Sequence, residues 1–102
     1  MTMTIDTLRQ AVAADGVWVR ILEDGTLEMR DPNDGQSRSP AEKARYQYRI
    51  DSAGTPVRRM LPPESVGDAW LDSGTPEWER IDGIGPHNGP IWRYFRALAR
   101  IA

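Results

Sequence analysis

Residues 17–30 read VWVRILEDGTLEMR, and apolar side chains recur at every second position on both sides of Glu23, Asp24 and Gly25. Val17, Val19 and Ile21 alternate with Trp18, Arg20 and Leu22, and after the turn Leu27 and Met29 alternate with polar neighbours. That period of two predicts a β-hairpin. Loop length then selects the register. A two-residue turn at Asp24 and Gly25 would set Ile21 against Glu28 and Val19 against Arg30, mixing core and solvent faces. A three-residue loop with Gly25 in the left-handed conformation instead sets Ile21 against Leu27, Val19 against Met29 and Arg20 against Glu28. One face is then apolar and the other carries an exposed ion pair. Such a pair is worth only about 0.2–1 kcal/mol, so burial of the apolar face decides the register.

Before this hairpin, Thr4 can cap a short helix with Ile5, Leu8 and Val12 on one stripe and Ala11 beside them, with Gly16 as its left-handed stop. After it, Asp31 to Arg38 is a polar loop. Ser39, Pro40 and Glu42 stand at the N-cap, first and third positions of a capping box and predict a helical turn. Tyr46, Tyr48 and Ile50 then share one face of a strand, with Arg45, Gln47, Arg49 and Asp51 on the other. Ser52 to Thr55 turns the chain and Val57 to Leu61 returns. Pairing Ile50 with Val57 sets Tyr48 against Arg59 and Tyr46 against Leu61, and gathers Arg45, Arg49 and Arg58 on the opposite face.

From Leu61 to Pro90 the texture changes to Pro, Gly and Trp. Glu64 to Leu71 suits a short helix carrying Val66 and Trp70. Thr75, Pro76 and Glu77 read as another helix start ending at Gly83, with a strand through Trp78 as the competing reading. Pro90 opens a last helix with Ile91, Phe95 and Leu98 facing one way and Arg93, Arg96 and Arg100 another. The expected fold is α+β: a four-stranded antiparallel sheet made of two hairpins, packed on one face by the N- and C-terminal helices, with residues 1–102 as one domain.

Thirteen basic and fifteen acidic side chains give a formal charge of -2, so no global positive field draws the chain to nucleic acid. Cysteine is absent, which excludes disulfide and thiolate chemistry. Residues 1–7 lack the basic and apolar blocks of a secretory leader, and no window approaches the ~18 apolar residues of a membrane span. A cytoplasmic protein, monomeric or homodimeric and away from membranes, is the expectation.

Few residues offer chemistry. His87, in the run Gly85-Pro86-His87-Asn88-Gly89-Pro90, is the single histidine and could serve a small hydrolase as general base. The five serines lie in no nucleophile-elbow pattern. One histidine without cysteine cannot build a zinc site. Asp31, Asn33, Asp34 and Gly35 place the glycine one position short of a calcium loop. Gly83 to Gly89 matches neither glycine-rich phosphate fingerprint, so no cofactor is expected. More distinctive are four tryptophans, and twelve arginines against a single lysine. Trp, Tyr and Arg dominate the energetics of protein interfaces. The expectation is therefore a binding protein without catalytic activity, of the kind that acts as an inhibitor, immunity protein or adaptor in phage and bacterial conflict. Its docking surface would comprise Trp18, Arg20, Arg45, Arg49 and Arg58. An accessory nucleic-acid binder using Arg93, Arg96 and Arg100 is the second reading.

Overall fold

The two turns that shape the sheet are built alike. In the first, the Leu22 N–H donates to the Thr26 carbonyl at 2.8 Å and the Gly25 N–H to the Leu22 carbonyl at 2.9 Å, closing a three-residue loop with Gly25 at φ 90°. In the second, the Asp51 N–H donates to the Thr55 carbonyl and the Gly54 N–H to the Asp51 carbonyl, each at 3.0 Å, with Gly54 at φ 83°. An L side chain is strained in that left-handed region, so each loop puts its glycine at the same place, just before a threonine. A carboxylate braces each turn: Asp24 accepts the Thr26 N–H, and Asp51 accepts those of Ala53 and Thr55, all at 2.9 Å.

The computed structural model describes residues 5–13, 18–30, 42–63 and 76–99. The expectations for Thr4, Gly16, the Asp31 to Arg38 loop, Ser39 and Pro40, Glu64 to Leu71, Trp70, Thr75 and Arg100 fall outside them. In chain order the elements are α1 (Ile5–Val12), β1 (Val19–Ile21), β2 (Leu27–Arg30), β3 (Arg45–Ile50), β4 (Pro56–Leu61), β5 (Glu79–Arg80) and α2 (Pro90–Ala99). A 3-10 turn at Pro86–Asn88 precedes α2. The protein is α+β, and its strands form one antiparallel sheet in the order β1-β2-β3-β4-β5. Five strands stand where two hairpins predicted four. The fifth comes from the segment read as a helix start at Pro76: residues 76–78 form no helix and lead into β5, in line with the competing reading of that stretch.

The first hairpin has the predicted register, with Val19 opposite Met29, Arg20 opposite Glu28 and Ile21 opposite Leu27. The second is shifted by one residue. Ile50 pairs with Pro56, Tyr48 with Arg58, Gln47 with Arg59 and Arg45 with Leu61. The cause is the turn, which uses three residues instead of the four in Ser52 to Thr55. Because side chains alternate across a strand, the slip moves every β4 side chain to the other face.

The face formed by Ile21, Leu27 and Tyr48 packs with Leu8 and Val12 of α1 and Tyr94, Phe95 and Ala97 of α2 in one core. Burying each large apolar side chain there contributes about 1.5–3 kcal/mol. Tyr94, only 1% exposed, donates its hydroxyl to the Gly25 carbonyl at 2.6 Å and so ties α2 to the first turn. α1 ends earlier than a stop at Gly16 would require, and Ala13 takes the left-handed conformation at φ 54°. α2 starts at Pro90 as the sequence predicts, with its first turn closed by the Arg93 N–H on the Gly89 carbonyl.

Candidate functional site

The sheet face turned away from the helices carries the chemistry. By register it presents Arg20 from β1, Glu28 and Arg30 from β2, Arg45, Gln47 and Arg49 from β3, and Val57, Arg59 and Leu61 from β4. One polar row crosses four strands. The Arg20 Nε donates to Glu28 Oε1 at 2.8 Å, the Gln47 Nε2 to Glu28 Oε2 at 2.7 Å, and the Arg59 Nε to Gln47 Oε1 at 2.9 Å. The Arg20–Glu28 pair was expected in solvent. Glu28 is instead 2% exposed, and both of its oxygens are engaged. A buried carboxylate requires a cation and donors, and this row supplies them.

The row ends under an indole. Trp78 precedes β5, and its ring centroid lies 4.1 Å from the Arg49 guanidinium carbon and 4.5 Å from that of Arg59. Both distances fall within cation–π range. Arg45, four residues before Arg49 on β3, donates its Nε to the Pro62 carbonyl at 3.0 Å. Arg49 has its Nε buried with no hydrogen-bond partner. Among the described residues the ion pairs join Arg9 to Asp6, Arg20 to Glu28 and Arg80 to Asp82, and none reaches Arg45, Arg49 or Arg59. Burial holds the Arg59 guanidinium below its ordinary pKa, and repulsion from Arg49 adds to this while Asp24 opposes it. Asp24 is held below the usual carboxylate range first by the Thr26 backbone N–H and further by the charge of Arg49.

Of the residues read as a docking surface, Trp18, Arg20, Arg45 and Arg49 do share this face, whereas Arg58 does not. Trp18 is half-buried beside β1, where its carbonyl accepts the Arg30 N–H at 2.8 Å. Arg20 is neutralised by Glu28. Arg58 is exposed on the helix-covered side of the sheet, opposite Tyr48, because of the one-residue slip. Arg59 takes its place, and Trp78 completes the group. The pair Gly-Thr at 25–26 and again at 54–55 carried the missing information, since it marks two loops of equal length.

Elsewhere, Arg93 and Arg96 are exposed on α2. Arg93 reaches the Val12 carbonyl at the end of α1 at 3.5 Å, and Arg96 lies 5.6 Å from the Trp92 ring. His87 is exposed on the 3-10 turn, its ring packed against Gly85. No group of three residues able to hold a metal ion occurs among the described residues. A cleft of about 950 Å³ opens at the turn end of the sheet, where Asp24, Arg49, Asp51 and Tyr94 line it together with Ile5 and Leu98. His87 is not among its lining residues. No described helix is long and apolar enough to cross a membrane. Comparison with family models, curated proteins and solved structures yields no match for this chain.

Proposed function

We propose that this chain is a binding module without catalytic activity that docks on another protein through the sheet face bearing Trp78, Arg45, Arg49 and Arg59. The supporting observation is the half-buried Trp78 indole set against two guanidiniums that no ion pair among the described residues reaches. Indole and guanidinium are the groups that contribute most when a partner covers them. Arg59 is already held by its bond to Gln47, and Arg49 and Arg59 both lie against the indole, so less conformational entropy remains to be lost on association. An inhibitor, immunity protein or adaptor is the class of function that suits such a surface. The test is affinity capture from the source cells with the intact chain, with Trp78→Ala, and with Arg96→Gln as a control on α2. Trp78→Ala is expected to lose partners that the other two retain. Identical recovery by all three proteins would remove this face from consideration.

A nucleic-acid reading rests on exposed Arg93 and Arg96 of α2. These lie on the helix side of the sheet, opposite the Arg45 and Arg49 face, so one polyanion would have to wrap the molecule to reach both groups.

A further inference from the structure

Arg45, Arg49 and Arg59 project from one face of two neighbouring strands, and the charges of Arg49 and Arg45 both act on Arg59. Like charges held this close repel, and cross-strand pairs of one sign are destabilising. The Arg20 end of the face is compensated by Glu28, whereas among the described residues no ion pair reaches Arg45, Arg49 or Arg59. Arg49 carries a buried Nε without an acceptor there. A guanidinium seats a carboxylate through two parallel N–H donors, and one such anion between these arginines would both satisfy donors and relieve the repulsion.

We infer that the group bound by this face is a short carboxylate-rich segment of a protein partner, seated on Arg45, Arg49 and Arg59 beside the Trp78 indole. The inference rests on the docking reading above and names the chemistry of its partner. Two observations favour an acidic peptide over a nucleic acid. First, the cationic patch is short and ends in acids at the first turn, where Glu23 and Asp24 are exposed. Duplex DNA carries a charge every ~1.7 Å along its axis and would run from the arginines straight into those carboxylates. A side-chain carboxylate occupies the arginines and goes no further. Second, the formal charge of -2 gives no global positive field, so a nucleic acid would gain only the few local contacts of this patch.

The test follows indole fluorescence and calorimetric heat as the whole protein is titrated with a short synthetic peptide of alternating Glu and Ser. The same peptide with Gln in place of Glu, and a single-stranded oligonucleotide, serve as comparison probes. The Glu peptide is expected to bind saturably, with affinity that falls as salt is raised, and the Gln peptide to bind at least about tenfold more weakly. Arg49→Gln and Arg59→Gln should each weaken the Glu peptide about tenfold. Arg58→Gln, on the opposite face, should leave it unchanged. Arg49→Lys keeps the charge and guards against misfolding, and should give an intermediate affinity. No binding of the Glu peptide, equal binding of the Gln peptide, or equal effects of Arg58→Gln and Arg49→Gln would each overturn the assignment. Tighter binding of the oligonucleotide would transfer the face to nucleic acid. If the peptide fails while cellular partners still depend on Trp78, the carboxylate assignment falls and the docking reading survives; if both fail, the docking reading falls too.

Discussion

Tyr94 shows how one buried hydroxyl links a helix to a turn and stability to pH. Its ring packs edge-on against Phe95, and its hydroxyl reaches the Gly25 carbonyl. Burial is the main reason its pKa is pushed up to about 12. An unfolded tyrosine ionises near pH 10, so the folded protein keeps a proton that the unfolded chain has lost. The resulting stabilisation is fully present below about pH 10 and disappears as pH rises towards 12, a loss on the order of 2–3 kcal/mol. Burial raises the Tyr48 pKa as well, which adds a loss of the same sign. Urea unfolding across the alkaline range should therefore show falling stability, and Tyr94→Phe should flatten part of that fall while costing about 1 kcal/mol near neutrality. A variant with the same alkaline slope as the parent would place the titration elsewhere. Glu28 marks the limit of what alternation reveals about a single side chain. The pattern in residues 19–29 tells which face Glu28 takes and that Arg20 stands opposite. It says nothing of depth, because depth depends on what covers the face, and the expected solvent-exposed acid proves to be among the most buried side chains of the protein.

Hairpins and helix ends depend on a few backbone conformations, which explains why one hairpin was legible and the other was not. In the first, a single register gathers Val19, Ile21, Leu27 and Met29 on one face, whereas the other sets Glu28 and Arg30 within that apolar stripe, so the correct loop length follows. In the second, Val57 and Leu61 are buried on the arginine face, outside the main core cluster. Both registers therefore bury apolar groups, and hydropathy does not choose between them. Turn chemistry does, through Gly54 at φ 83°. The Cβ built at Gly54 meets nothing within 4 Å, so Gly54→Ala should cost only the left-handed backbone penalty, about 1–2 kcal/mol. Ala13 presents the reverse case, an L side chain at φ 54° just after α1. Ala13→Gly should stabilise the protein by about 0.5–1 kcal/mol, because glycine relieves the strain at a helix stop. Denaturant midpoints of the two variants should move in opposite directions. A shift of both to lower denaturant would mean that Ala13 is not strained.

The molecule is asymmetric across its sheet. α1 and α2 share one core with β1, β2 and β3, and the far edge is left to β5, a strand of two residues paired to β4 at Arg58 and Val57. That edge follows directly from Trp78, so the proposed docking group is carried by the part of the sheet with the least packing. The sequence offers a strand through Trp78 only as the competing reading, because Trp78 sits among prolines and glycines where periodicity is weak. Local opening free energies track buried contacts, which yields an order for hydrogen exchange. The amides of Leu27 and Tyr48, in the central strands, should exchange slowest. The Ile81 amide, bonded to the Pro56 carbonyl at 3.0 Å beyond the end of β5, should exchange among the fastest of those in the sheet. Adding the alternating Glu and Ser peptide should slow Ile81, since an anion on Arg49 and Arg59 fixes the guanidiniums against Trp78 and holds β5 to β4. The Arg30 amide, bonded to the Trp18 carbonyl at the opposite edge, should not respond. If the peptide slows both amides equally, its effect is general stabilisation and not a clamp at the Trp78 edge. If it slows neither while still binding, Trp78 and β5 take no part in holding it.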